Sequence, residues 1–327
     1  MLKTTQLTWL EKPILQDNSD DWTFNGASTR ELTHCYHDYP ARMIPQVAGK
    51  LLDLFGHDAK VLFDPYCGSG TSLVESNIRG ISAIGTDLNP LARLISKAKT
   101  ATPSISTLAR HITHFNKVAL NDKLRRFKDM PTIYGISRLD FWFKPEVIQK
   151  LFEIRKFILD IEDESSKLFF QIAFSETVRE SSNTRNEEFK LYRYNEEKLA
   201  KFNPDVYGIM VNKLQRNIAG YKKYIAVIEN FKHPPFAQVY GFNTVEGIPQ
   251  DIIRPESVDI VVTSPPYGDS GTTVAYGQYS RLSAAWLELE EPDKIDRKLM
   301  GSKVSKEMAT LPSDVLNKAI EKIRKTD

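Results

Sequence analysis

Ser264, Pro265, Pro266 and Tyr267 are the residues of this chain whose types and spacing carry the most definite chemistry. They close the apolar run Val258-Asp259-Ile260-Val261-Val262-Thr263, which reads as a strand. Two consecutive prolines fix φ and remove two backbone donors, so the chain leaves the strand stiff, with bare carbonyls facing a cleft. Those carbonyls can hold an amino group. Ser264 adds a hydroxyl acceptor and Tyr267 a flat aromatic face, a set that suits a planar ring bearing an exocyclic NH2. The same four residues also occur as a plain strand terminator or as a polyproline ligand, so their surroundings must decide.

A second segment narrows the choice. Val61-Leu62-Phe63 reads as a short strand running into Asp64-Pro65-Tyr66-Cys67-Gly68-Ser69-Gly70-Thr71, and a helix follows from Ser72. The glycines let backbone N–H groups approach a ligand, and the helix start contributes partial positive charge. The next strand, Ile81 to Thr86, ends at Asp87, where a carboxylate can accept both hydroxyls of a ribose. Leu73 stands where a third fingerprint glycine would, and no Lys follows Gly70, which excludes a phosphate-cradling loop. An acidic ribose reader without a phosphate clamp suits S-adenosylmethionine better than NAD or ATP. The competing reading is an ordinary α/β turn with a solvated Asp87.

Taken together, the Asp64–Thr71 turn, Gly85-Thr86-Asp87-Leu88-Asn89-Pro90 and Thr263-Ser264-Pro265-Pro266-Tyr267 resemble the signatures of DNA amino-methyltransferases, and Ser-Pro-Pro-Tyr is the form typical of the cytosine N4 group. His37-Asp38-Tyr39-Pro40-Ala41-Arg42-Met43 resembles a segment that closes the methionine end of the cofactor pocket in such enzymes. The resemblance covers residues from about 35 to 100 and from about 236 to 290. It implies a Rossmann-like α/β fold and S-adenosylmethionine as cofactor. The cofactor-binding set it implies is Tyr39, Pro40, Asp64, Pro65, Cys67, Gly68, Ser69, Gly70, Thr71, Asp87, Leu88 and Asn243, the last placed to touch the adenine ring. Catalysis falls to Ser264, Pro265, Pro266 and Tyr267. An exocyclic amine is a poor nucleophile because its lone pair is delocalised into the ring. Hydrogen bonds to Ser264 and the Pro265 carbonyl would favour a more tetrahedral nitrogen, while Tyr267 stacks on a base extruded from the duplex. Transfer is then in-line and needs no covalent cysteine, which leaves Cys67 as a packing residue of the turn. Asp269, Tyr276 and Tyr279 are candidates to line the base pocket, under a closing Gly268–Thr273 loop.

Composition sets the broad class. The chain has 327 residues, 41% hydrophobic and 26% charged, with a net charge of +2. It is long enough for roughly two domains and is not a strongly basic nucleic-acid binder as a whole. No apolar run has membrane-spanning length and the N-terminus lacks a signal-peptide core, so the expected location is the cytoplasm. Cys35 and Cys67 are the whole cysteine complement, too few for a disulfide framework. His34, Cys35 and His37 lack a second ligand pair at metal spacing, so they read as a loop and no metal is expected.

Between Ala101 and Pro235, Lys and Arg exceed Asp and Glu by roughly six, so the middle of the chain carries the positive surface. Helical spacing of apolar residues predicts helices from Pro145, over Leu168–Thr177 and over Pro204–Phe231. The basic, polar and aromatic stretch between them supplies the nucleic-acid candidates Arg179, Ser182, Asn183, Arg185, Lys190 and Arg193, with a solvated interhelical loop as the alternative. Strands at Phe236–Gly241 and Val258–Thr263 make this helical lobe an insertion between the second and third strands. The organisation expected is a cofactor half over 1–100, a helical DNA-contacting insertion over 101–235 and a catalytic-motif half over 236–327.

Beyond Tyr267 only Gly-rich and helical sequence is evident, with a closing helix from Ser313 to Lys325. The sheet therefore reads as incomplete at its C-terminal end, and the open edge is expected to be covered by a second polypeptide, unless the enzyme is a shortened one. Three functions are compatible with these residues. One is site-specific methylation of double-stranded DNA on cytosine N4 or adenine N6 in a modification/restriction system. Another is RNA guanine N2 methylation, against which Ser264 argues. The third is a non-catalytic subunit that binds cofactor and DNA.

Overall fold

Among the described residues, four short parallel strands hold the Gly-rich turn and Ser264–Pro265 at the same end of one sheet. The computed structural model describes residues 22–120, 132–185, 188–265, 275–292, 294, 299 and 313–324. Pro266, Tyr267 and Asp269, named from the sequence, lie outside the described residues.

A 3-10 helix, Leu32–Tyr36, precedes α1 (Pro45–Phe55). The sequence reading of a loop at His34–His37 is thus corrected, because Leu32, Cys35 and Tyr36 are buried and need a compact turn to share one side. The sheet and its first helices follow: β1 (Val61–Asp64), α2 (Thr71–Asn77), β2 (Ser82–Thr86) and α3 (Pro90–Thr100). Helices α4 (Ile105–Leu120), α5 (Leu139–Trp142), α6 (Pro145–Leu159), α7 (Glu164–Ser181), α8 (Glu196–Lys201) and α9 (Val206–Ile228) come next. The chain then returns to the sheet through β3 (Ala237–Tyr240) and β4 (Ile260–Val261), and ends in α10 (Tyr276–Trp286) and α11 (Asp314–Arg324).

The strand order is β3-β2-β1-β4, all parallel. Val61 pairs with Ser82, Ala83 with Ala237, and Leu62 with Ile260. Alternation gives the sheet two apolar faces: Leu62, Ala83 and Val239 pack with Leu52 and Leu73 on one, while Phe63 and Ile84 pack with Ile253 on the other. A parallel sheet needs that double cover, since its crossovers lay elements on both faces. The fourth strand is shorter than the six-residue run expected. Asp259 spends its carboxylate on the backbone N–H groups of Lys60 and Val61, at 2.8 and 2.9 Å, and Pro265 has no donor with which to extend the ladder. Among the described residues β4 pairs on one side only, and Val261 is exposed.

The helices between β2 and β3 form around α7. Phe169, Phe170 and Phe174 on α7 are fully buried, in edge-to-face contact with Tyr36, Phe115 and Trp286 respectively, and Trp286 meets Phe143 in the same way. Each such ring contributes on the order of 2 kcal/mol or more by leaving water. The same core continues into Leu91 and Ile95 of α3 and Tyr279 and Leu282 of α10. The lobe is therefore packed directly on the elements that border the site. Among the described residues no helix is long and apolar enough to cross a membrane.

Candidate active site

The turn after β1 takes its shape from two left-handed glycines. Gly68 has φ +49° and Gly70 φ +73°, and a Cβ on Gly70 would meet Ser96 Oγ at 2.8 Å. That approach lets the Gly70 N–H bond the Cys67 carbonyl at 2.7 Å and the Gly70 carbonyl accept from Val74 N–H, which starts α2. Leu73, in place of a third glycine, is fully buried under the sheet. Cys67 is buried beside Gly85, and burial pushes its thiol well above the usual range, so it packs rather than attacks.

Asp64 is the tie between the turn and the proline motif. Its buried carboxylate accepts from the Ser72 hydroxyl, from Tyr66 N–H at 3.0 Å and from the Thr263 hydroxyl at 2.7 Å. Desolvation raises its pKa and the hydrogen bonds work against that rise. The Thr263 bond fixes the residue immediately before Ser264, so β4's exit is anchored to the turn across the sheet. Of the proline motif, half-buried Ser264 and exposed Pro265 line a cavity of about 500 Å3.

That cavity brings most of the expected cofactor residues together. Tyr39, Pro40, Asp64, Pro65, Cys67, Gly68, Ser69, Thr71, Asp87, Leu88 and Asn243 all line it, with Ser264 and Pro265. Gly70 does not line it; its place is behind the turn, against Ser96. Asp87 lies at the end of β2, its two oxygens accepting from Gly68 N–H at 3.0 Å and Asn89 N–H at 2.7 Å. Each oxygen keeps a second lone pair for a hydroxyl. Burial pushes the carboxyl up to about 6, opposed by those two hydrogen bonds and by Arg93. Ser69 Oγ is buried with no hydrogen-bond partner, a polar atom left for a ligand in the cavity. The lining combines the Asp87 carboxylate and the unpartnered Ser69 hydroxyl with apolar walls at Leu88, Phe242 and Val245, and the cavity volume falls in the range of a drug-sized ligand. These features fit a nucleoside ligand without phosphates.

Residues the motif reading left without a role complete the site. Arg93 donates to the carbonyls of Asp87 and Leu88 at 2.9 and 3.0 Å and pairs with Glu290 at 2.7 Å, which holds the acidic turn from behind. Asn89 caps α3 through Leu91 N–H. An Asn-Pro pair after a strand is a helix-start signal, so the cap was open to sequence reading; the Arg93 contacts were not.

The chain is 41% identical over 321 residues to the Type II methyltransferase M.MvaI of Kocuria varians, a match that takes in 92% of this chain and 68% of that protein. The chain belongs to the Type II DNA methyltransferases. A shorter match, 34% identical over 95 residues, reaches the Type II methyltransferase M.MjaII of Methanocaldococcus jannaschii and covers 28% of this chain and 18% of that protein. No protein-family model matches, and no solved structure matches.

The nucleic-acid candidates named from the sequence divide between buried and exposed positions. Ser182 and Asn183 are buried: Ser182 Oγ bonds Arg179 O and Thr184, and Asn183 bonds the carbonyl of Phe141. The Thr184–Arg193 bridge folds this stretch back onto α5 and turns both side chains inward. Arg179 lies 3.6 Å over the Tyr279 ring and donates to the Tyr279 carbonyl, so its guanidinium packs inward as well. Arg193 is held by Phe141 O and Glu196. Arg185 and Lys190 are exposed, beside exposed Phe189 and Tyr192. In the cavity wall, Tyr276 packs on Tyr39 at 5.7 Å between ring centroids. Tyr279 is buried beneath Arg179 with its hydroxyl on Asp38 O and does not line the cavity. The His34, Cys35 and His37 side chains turn to three different partners, Glu75, Leu32 O and Ser175. Among the described residues no group of three or more His, Cys, Asp or Glu is placed to hold a metal.

Proposed function

We propose that this chain transfers a methyl group from S-adenosylmethionine to the exocyclic amine of a DNA base, cytosine N4 in the first instance, within a modification/restriction system in the cytoplasm. The observation that carries the reading is a single cavity that has the Gly68–Ser69 turn and Asp87 on one wall and Ser264 and Pro265 on its rim. When bound there, S-adenosylmethionine supplies an electrophilic methyl group on a sulfonium. Asp87 would hold the ribose hydroxyls, Ser69 and the Gly68 backbone would meet the ligand, and Asn243, Leu88 and Phe242 would receive its adenine. Tyr39 and Pro40, with Arg42 beside them, close the methionine end. Ser264 and the Pro265 carbonyl accept from the target amine and fix its lone pair for in-line attack. Exclusion of water by the bound cofactor and base would strengthen those hydrogen bonds.

In this reading residues 1–100 and 236–327 act as the two halves of the methyltransferase domain, and 101–235 form the lobe that meets DNA through Arg185, Lys190, Phe189 and Tyr192. The unpaired edge of β4 is where a further strand, from a second polypeptide or elsewhere, would add. The test is transfer of tritiated methyl from S-adenosylmethionine to unmethylated genomic DNA, followed by nucleoside analysis. N4-methylcytosine is the expected product. N6-methyladenine would move the target base, and labelling of RNA alone would replace the DNA reading with guanine N2 chemistry.

A further inference from the structure

The wall of the cavity and the helix that follows the proline motif meet at one buried side chain. Asn89 stands at the end of the β2–α3 turn and is 1% exposed. Its Oδ1 accepts from Leu91 N–H at 3.0 Å, which fixes the orientation of the amide: a flipped Asn89 would point its NH2 at that donor. The Nδ2 group therefore faces the other way and spends both hydrogens, one on Tyr39 OH at 2.9 Å and one on Ser280 Oγ at 2.8 Å. Ser280, fully buried on α10, donates its own hydroxyl hydrogen bond to Tyr276 O at 2.9 Å. The Asn89 N–H bonds Asp87 Oδ1.

One residue thus touches three segments far apart in sequence. Through its backbone it orients Asp87. Through its carboxamide it holds Tyr39, whose ring lines the cavity, and α10, whose first residue Tyr276 packs on that ring. A helix cap needs only the side-chain oxygen, so the two donated bonds are surplus to capping. Loss of the donors would leave Tyr39 OH and Ser280 Oγ buried and short of a partner, in a place where an unmade hydrogen bond is expensive.

We propose that Asn89 is a positioning residue which locks the Tyr39 wall and helix α10 to the Asp87 turn, so that the cofactor site and the base side of the cavity are assembled together. The inference rests on the methyltransferase reading above. It predicts that loosening the Asn89 amide weakens cofactor binding and slows transfer, while the fold and the helix cap survive.

Asn89→Ser is the discriminating variant, because serine caps a helix as well as asparagine does and adds no charge, but cannot reach Tyr39 or α10. Isothermal calorimetry with S-adenosylmethionine on the full chain should show binding weakened about tenfold, in a chain that still unfolds cooperatively with its melting temperature lowered by several degrees. Single-turnover transfer at saturating cofactor should also slow, which a role confined to cofactor affinity would not produce. Tyr39→Phe breaks the same hydrogen bond from the other end without touching the cap, and should weaken binding by a similar factor. In the Asn89→Ser background it should cost little more. Wild-type affinity in both single variants would overturn the proposal and reduce Asn89 to a helix cap. So would full additivity of the two substitutions. Failure of the wild-type chain to bind S-adenosylmethionine would instead refute the reading of the cavity itself, and the two failures are told apart by that control.

Discussion

Asp87 is asked to be an anion in a place that resists anions, and replacing it with asparagine should separate the two demands. Burial pushes its carboxyl from the usual 3.8 up to about 6 in the folded chain. A carboxyl with a raised folded-state pKa contributes stability that is full below the unfolded value and is lost as pH rises through the folded one. The window here runs from about pH 4 to above pH 6. A shift of about two units is worth roughly 3 kcal/mol in all, of which roughly 2 kcal/mol is still present at pH 4.5 and almost none at pH 8. Asp87→Asn has no such proton to gain. Whatever the fixed cost of confronting Gly68 N–H or Asn89 N–H with an amide group, the stability of the variant relative to the parent should improve by about 2 kcal/mol between pH 4.5 and pH 8. Urea unfolding without cofactor at the two pH values measures that difference, since all other titrating groups are common to both chains. Calorimetry at pH 8 should show the opposite sign in function, with S-adenosylmethionine bound tenfold or more weakly because an amide has one acceptor oxygen for two hydroxyls. Parallel stability curves for the two proteins would refute the argument that Asp87 is held as a strained anion.

Lys99 offers a second titration with the reverse pattern. Its ammonium is fully buried with no hydrogen-bond partner, and desolvation, with Arg42 adding to it, lowers its pKa from 10.5 to about 7. Between those values the unfolded chain binds the extra proton, so stability from this group rises with pH from about 7 to about 10.5. Lys99→Met should remove that slope and stabilise the fold at pH 7 by roughly 2–4 kcal/mol, read by chemical denaturation. Thr263→Val deletes the bond to Asp64 without changing side-chain size and should lower kcat about tenfold, with cofactor affinity held within twofold, as tested by single-turnover methylation and calorimetry. Gly70→Ala would place a methyl 2.8 Å from Ser96 Oγ and 3.0 Å from Ser96 Cα at φ +73°, and should destabilise the chain by roughly 2–4 kcal/mol in a thermal or urea melt.

Local sequence determined those parts of this methyltransferase whose signal is carried by neighbours along the chain. The strand, Gly-rich turn and helix at Val61–Asn77, the acidic end of β2 and the helices of the lobe follow from periodicity of two or 3.6 and from residues that alone tolerate the required φ. The order of elements was legible for the same reason, including the helical insertion between β2 and β3. Only the tertiary structure decided which of the polar side chains face the cavity. Ser182 and Asn183 look like readers of a base edge in sequence and are buried in the fold, where a two-residue bridge turns them onto Phe141 and Arg179. Tyr279 looks like a pocket wall and is covered by Arg179, a hundred residues away. Asp64 resembles a cofactor residue, and its carboxylate is also the anchor of Thr263, a contact that spans most of the chain. A hydroxyl, amide or guanidinium has the same chemistry exposed or buried, and its partner is chosen by how strands and helices stack, which no local pattern records.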